Sequence, residues 1–223
     1  MATIAEIAAS HSIAVLVPCH NEAAAIGAVV RDFRRSLPTA TIYVYDNNST
    51  DETVRIAEEA GAVVRRETRQ GKGHVVRRMF ADVDADIYVM VDGDDTYEAE
   101  AAPLLIETLV NDNMDIVNGA REAVGDAAFR RGHKFGNRLL SGLVSAVFGK
   151  RNDDMLSGYK AMSRRMVKSF PVKSSGFEIE TELLVHALEL DLPIGERPTR
   201  YRERGEGSTS KLRTYRDGLR ILW

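Results

Sequence analysis

The sequence predicts an α/β fold: one mostly parallel sheet covered by helices on both faces. Three features point there. Strand-like apolar runs alternate with helical patterns through the first 121 residues, each run ends in polar residues, and a length of 223 residues suits one substantial core better than two.

Taken in order, "SIAVLVP" (12–18) reads as the first strand, and "EAAAIGAVVRDFRR" (22–35) follows with helical spacing. "TIYVYD" (41–46) is the second strand. In the next helix, Ser49 and Glu52 have capping-box spacing and Gly61 stands where a C-cap belongs. "AVVRR" (62–66) is a third strand and "GHVVRRMFADV" (73–83) a helix. "DIYVMVD" (86–92) is the fourth strand, followed by a helix over 98–111 with Pro103 near its start, and then by "MDIVNGAR" (114–121). Beyond Arg121 the alternation breaks. A small-residue helix over 136–149, the loop "KRNDDMLSGYKAM" (150–162), the helix "FEIETELLVHALEL" (177–190) and a basic tail follow.

Thirty Lys and Arg against 33 Asp and Glu leave a net charge of −3, which does not indicate a basic nucleic-acid binder. One cysteine, Cys19, permits no internal disulfide and no cysteine-based zinc site, in keeping with a reducing compartment. The N-terminus does not read as a signal peptide. No window reaches the roughly 18 apolar residues of a membrane span. The expected placement is cytoplasmic.

In an open α/β sheet, ligands bind beyond the carboxyl ends of the strands. That rim collects Pro18, His20, Asn21 and Glu22 from the first strand, Asp46 to Asp51 from the second and Asp92, Asp94 and Asp95 from the fourth. Three carboxylates in four positions repel one another unless a cation neutralises them, so the Asp-x-Asp is a candidate site for Mg²⁺ or Mn²⁺ clamping a diphosphate. The same letters, Asp92 to Thr96, also match the Asp-x-Asp-x-Thr nucleophile motif of haloacid-dehalogenase-like phosphatases, although here the motif ends the fourth strand and not the first. "RQGKGHVV" places Lys72 between two glycines at a helix start, suited to phosphate oxygens, but it lacks the Walker pattern and the dinucleotide fingerprint.

Several motifs together, "VLVPCHNEAAAIGAVV", "VYDNNSTDET", "VMVDGDD", "GAR" at 119–121, "DDMLSGYKAMSR", "FEIETELL" and the basic tail, resemble in order those of family 2 glycosyltransferases of the GT-A fold. The later motifs resemble the branch that glycosylates dolichyl or undecaprenyl phosphate. The resemblance implies that Pro18, Glu22 and Asp46 line the base and ribose pocket with Lys72 nearby, that Asp92 faces the nucleotide, and that Asp94 holds the metal. Asp154 takes the place beside the reacting centre. "DGDD" replaces the branch's usual "DAD", so Asp95 is a further metal candidate, and the donor, of GDP-mannose or UDP-glucose type, stays open.

The implied reaction is an inverting, in-line displacement at the anomeric carbon. A hydroxyl acceptor needs a base, which Asp154 would supply. A polyprenyl phosphate is already ionised and needs cations instead. Arg121, Arg130, Arg131, His133, Arg202, Arg204 and Lys211 lie in the segments the family uses for that purpose. Glu178 and Glu180 are either the polar start of an amphipathic helix or acidic groups near the site. An inactive nucleotide-sugar-binding scaffold is a further alternative. Residues 1–196 are expected to form the catalytic domain. Residues 197–223 are expected to form a basic amphipathic segment, with Leu212, Tyr215, Leu219 and Leu222 on one helical face against an anionic membrane surface. The resemblance leaves membrane helices beyond Trp223 open.

Overall fold

The computed structural model describes residues 1–123 and 154–205. In chain order the elements are α1 (Ile4–Ser10), β1 (Ile13–Cys19), α2 (Ile26–Ser36), β2 (Thr41–Asp46), α3 (Thr53–Glu59), β3 (Val63–Arg66), α4 (Lys72–Asp82) and β4 (Ile87–Met90). They continue with α5 (Ala102–Asn111), β5 (Ile116–Ala123), β6 (Lys160–Ser163), α6 (Arg164–Ser169), α7 (Ile179–Glu189) and β7 (Ile194–Tyr201). Seven strands form one sheet in the order β3-β2-β1-β4-β6-β5-β7. The β1–β2, β1–β4, β2–β3 and β5–β7 pairs are parallel, while β6 runs antiparallel to both its neighbours. The expected mostly parallel sheet is present.

Alternation along β1 shows how one strand builds two cores. Ala14 and Leu16 join the apolar layer with Val75, Val76, Met79 and Phe80 of α4 and Leu183, Leu184 and Leu188 of α7. Ile13, Val15, Val17 and Cys19 face the opposite layer, with Ile26, Val30 and Phe33 of α2 and Leu105, Ile106 and Leu109 of α5. Pro18 is tolerated in this central strand because β4 pairs only as far as Leu16↔Met90, leaving no β4 rung for the missing N–H.

The structure corrects several expectations. Ser49 does not cap α3, whose N-cap is Glu52 with no side-chain bond. Ser49 instead accepts from the Asn21 N–H at 2.9 Å, and the capping box sits at Thr3 and Glu6 of α1. At the other end of α3, Gly61 (φ +93) does make the expected left-handed cap, with Gly61 N donating to Glu58 O and Ala62 N to Ala57 O. The stretch 150–162 is not all loop, since β6 begins at Lys160. Asp154, Ser157 and Gly158 had given it a turn-like composition. Finally, β7 runs across the expected 196/197 boundary, so residues 197–201 belong to the sheet. Pro198 in that strand is accommodated because β7 is an edge. The amphipathic stripe from Leu212 to Leu222 lies outside the described residues.

The "GKG" turn is a packing device. A Cβ at Gly73 would stand 2.2 Å from the Ser174 carbonyl oxygen, and Gly73 N donates to Ser175 O at 3.2 Å. This contact brings the start of α4 against the loop that leads into α7. Gly73→Ala is therefore expected to destabilise the fold by about 1–3 kcal/mol through overpacking, seen as a lower urea midpoint. An unchanged midpoint would contradict the close approach.

Candidate active site

The rim is laced before any charge is considered. Asn47 N donates to Cys19 O at 2.8 Å, Glu22 N to Thr53 Oγ1 at 2.8 Å and Thr50 N to Asn21 Oδ1 at 2.8 Å. The Asn47 amide then reaches the 67–71 turn, donating to Glu67 O and Arg69 O and accepting from Gly71 N. Asn21, Asn48 and Asp95 hold positive φ values of 52°, 62° and 58°. Left-handed non-glycine residues carry a conformational cost and cluster at functional sites. These three fall at the carboxyl ends of β1, β2 and β4, on the predicted edge, while Asn113, Val172 and Asp191 also take positive φ elsewhere.

Four acidic side chains on this side of the sheet each meet a cation. The Lys72 ammonium bridges Asp92 Oδ1 and, at 2.5 Å, Glu180 Oε1. Burial opposes the charge on Lys72, but the two carboxylates outweigh it and raise the ammonium above the ordinary lysine range. Glu180 also pairs through Oε2 with Lys160 Nζ at 3.3 Å. Asp94 is buried, accepts from Thr96 Oγ1 at 2.6 Å and forms an ion pair with Arg204 Nη2 at 2.6 Å. Burial first, then the charge on Asp92, push the Asp94 carboxyl above the ordinary aspartate range, with Arg204 and Thr96 pulling against them. Glu22, also buried, adds its negative charge to the same carboxyl.

Asp154 is held bidentately by Arg121, with Nε to Oδ2 at 2.6 Å and Nη2 to Oδ1 at 2.7 Å, and it also accepts from the Arg121 backbone N–H at 3.1 Å. Burial works against its ionisation, but the Arg121 bonds and charge prevail and keep the carboxyl below the ordinary value. Arg121 lies over the Tyr201 ring at 5.4 Å. The end of β7 is drawn across the acidic loop by a bridge between Tyr97 and Tyr201 and by Arg202 N donating to Thr96 O at 2.9 Å. Local pairing thereby delivers Arg204 to Asp94.

The structure thus gathers Glu22, Lys72, Asp92, Asp94, Arg121, Asp154, Arg202 and Arg204, with Pro18 and Asp46 at the ends of β1 and β2, at one sheet edge. Asp95 faces differently: the charges acting on it are Arg202, Asp32 and Glu100. Arg130, Arg131, His133 and Lys211 lie outside the described residues. Among the described residues, no three His, Cys, Asp or Glu side chains converge as a metal cage. The Asp92 and Asp94 pair nonetheless fits a hard divalent cation, because the charge on Asp92 disfavours ionisation of Asp94 and Mg²⁺ typically takes one or two carboxylates and completes its shell with substrate phosphates.

Sequence reasoning passed over Lys160 and Gly158, and it placed Asn47 on the rim without giving it a role. A Cβ at Gly158 would lie 2.2 Å from Asp92 Oδ2, so that glycine makes room for the carboxylate. A glycine beside a serine signals a turn, and nothing local says which side chain needs its space.

Comparison with known proteins decides the family. The family model described as "Glycosyl transferase family 2" matches residues 14–170. The chain belongs to glycosyl transferase family 2. This glycosyltransferase is 56% identical to "Protein RfbJ" of Shigella flexneri over 126 residues, 56% of this chain and 98% of that protein. It is 32% identical over 210 residues to "Dolichyl-phosphate hexose transferase" of Haloferax volcanii, covering 94% of this chain and 90% of that protein. Among solved structures, the Mycobacterium tuberculosis glucosyl-3-phosphoglycerate synthase in complex with Mn²⁺, UDP and glucosyl-3-phosphoglycerate superposes with a TM-score of 0.80 at 24% identity, covering 99% of this chain and 82% of that one. The glycosyltransferase therefore has the expected GT-A fold, and the phosphatase alternative falls away.

Breaking a buried ion pair costs about 3–5 kcal/mol because a charge is left without its partner. Asp154→Asn is accordingly expected to lose about 3 kcal/mol of stability at pH 7. Since the folded-state value of Asp154 is lowered, the pair's contribution is present above the unfolded aspartate value of about 3.9 and is lost as pH falls through the folded one. Urea melts at pH 7 and pH 3 should show the gap between parent and variant narrowing. A constant gap would contradict the ionised pair.

Proposed function

We propose that this glycosyltransferase moves a hexose, with inversion, from a nucleoside diphosphate sugar of GDP-mannose or UDP-glucose type to a polyprenyl phosphate, using Mg²⁺ or Mn²⁺. The observation that carries this is the Arg121–Asp154 pair. A general base must be free to take a proton and works best with a pKa near the operating pH. Asp154 has both oxygens on a guanidinium and a carboxyl held below the ordinary range. That suits an acceptor that arrives as a nucleophile. A phosphate monoester is such an acceptor, with a second pKa near 6. Asp154 then orients Arg121, whose charge receives the acceptor phosphate. The relative named as a dolichyl-phosphate hexose transferase agrees with this assignment.

In this reading Pro18, Glu22 and Asp46 line the base and ribose pocket, and Lys72 and Asp92 meet the donor diphosphate. Asp94, with Asp92, would hold the metal. A bound divalent cation supplies charge stabilisation for the departing nucleoside diphosphate. The family's fold relative crystallised with Mn²⁺ and UDP supports that assignment. The cation Asp94 holds here is Arg204, whose side chain is 29% exposed against 8% for Lys72. Arg204 is therefore the cation that would give way to a metal at Asp94, while Lys72 would stay anchored by Glu180. Arg204 would then be available beside Arg202 for the diphosphate or the acceptor. Arg131 and Lys211 are assigned there too. No helix among the described residues is long and apolar enough to cross a membrane. Docking on the cytoplasmic face through the basic segment ending at Trp223 would bring this rim to the lipid head group.

The test is a panel of UDP- and GDP-sugars over vesicles with and without polyprenyl phosphate, in anionic and neutral lipid, read by nucleoside diphosphate release. Release is expected only with lipid phosphate and Mg²⁺ or Mn²⁺, and faster on anionic vesicles. Asp154→Asn should slow turnover without removing any carboxylate-like limb from the pH-rate profile. Transfer to a soluble hydroxyl acceptor with a limb that vanishes in Asp154→Asn would overturn the lipid-phosphate assignment.

A further inference from the structure

Lys160 is a lysine buried where the reaction does not reach. Its side chain has no exposed surface, and it sits on β6 between β4 and β5, opposite Met90 and Asn118. Its ammonium donates to Ser157 O and pairs with Glu180 Oε2 at 3.3 Å. From there the charges alternate outward: Glu180 to Lys72 at 2.5 Å, and Lys72 to Asp92 at the rim. Four groups from β6, α7, α4 and the end of β4 make one line from core to rim. A buried ion pair is weak evidence for stability, since an apolar pair of similar volume commonly does as well or better. A lysine kept at Lys160 therefore calls for another account.

We propose that Lys160 is a positioning residue for donor binding: by neutralising Glu180 from the inside, it leaves the Lys72 ammonium shared with Asp92 and turned to the donor diphosphate. Without it, Glu180 has Lys72 as its one remaining cation among the described residues and draws that ammonium inward, off Asp92. Lys160 touches neither substrate nor metal and acts through two intermediaries. Burial, the largest influence, brings the Lys160 ammonium below the ordinary lysine range, and Glu180 is the first of the groups that oppose that shift. This inference rests on the reading that Lys72 and Asp92 meet the donor diphosphate.

The experiment measures UDP and GDP binding with Mg²⁺ by calorimetry on four folded chains: parent, Lys72→Met, Lys160→Met and the double variant Lys160→Met/Glu180→Gln. Lys160→Met is expected to weaken the preferred nucleotide about tenfold, the low end for a supporting residue one step from the ligand. Its donor KM should rise to match while kcat moves less than about threefold. In the double variant the inner carboxylate is gone as well, so affinity should return to within about threefold of the parent, a rescue that a merely structural lysine would not show. Parental affinity in Lys160→Met, or no recovery in the double variant, would overturn the inference. Parental affinity in Lys72→Met would instead overturn the donor-site reading. Should Lys160→Met not fold, Lys160→Gln, which also drops the charge, takes its place in the same comparison.

Discussion

The constraint on which this site depends is that Asp92, Asp94, Asp154 and Glu180, gathered at the carboxyl edge of the sheet, are each held by a cation. Asp92 has Lys72, Asp94 has Arg204, Asp154 has Arg121, and Glu180 has Lys72 and Lys160. An uncompensated buried charge costs several kcal/mol, more than the net worth of most single contacts. These pairs therefore fix where remote segments lie. The start of α7 and the stretch after β7 are tied to the first half of the chain through Glu180–Lys72 and Arg204–Asp94, and the antiparallel β6 is tied to α7 through Lys160–Glu180.

The pairs differ in what they can give up. Lys72 is enclosed by two carboxylates and Arg121 by a bidentate grip, a stacked tyrosine and a backbone bond, so both are fixtures. Arg204 comes from the end of the described chain, is the more exposed cation and grips an aspartate whose carboxyl is pushed up by burial and by the charge on Asp92. In the proposed reading, a divalent ion at Asp94 would take over the neutralising role that Arg204 fills here.

Much of this was legible in the sequence for a physical reason. Parallel strands buried on both faces are continuous apolar runs, and β1, β2 and β4 announce themselves; their polar ends then mark the rim, because the topology sets which end binds. What escaped were features whose cause is tertiary. β6 is four residues long and begins with a buried lysine, so no periodicity reveals it, and the turn-forming residues before it suggest a loop. β7 contains Gly195, Glu196 and Pro198 and survives as a strand because it has one neighbour. Ser49 and Glu52 have the spacing of a cap, yet Ser49 is taken by Asn21, a competitor 28 residues away. Asp94 was visible as a metal candidate, whereas its arginine partner lay 110 positions on, beyond the reach of any local pattern.

The account's central claim is that Arg204 and the metal contend for the same carboxylate. Manganese binding to the nucleotide-free chain, followed by the electron paramagnetic resonance signal of free Mn²⁺, tests it without turnover. Arg204→Met is predicted to bind Mn²⁺ about tenfold more tightly than the parent, since one competing charge has been lifted from Asp94, and Asp94→Asn is predicted to lose the site. Equal Mn²⁺ affinity in the parent and Arg204→Met, or undiminished binding in Asp94→Asn, would contradict it.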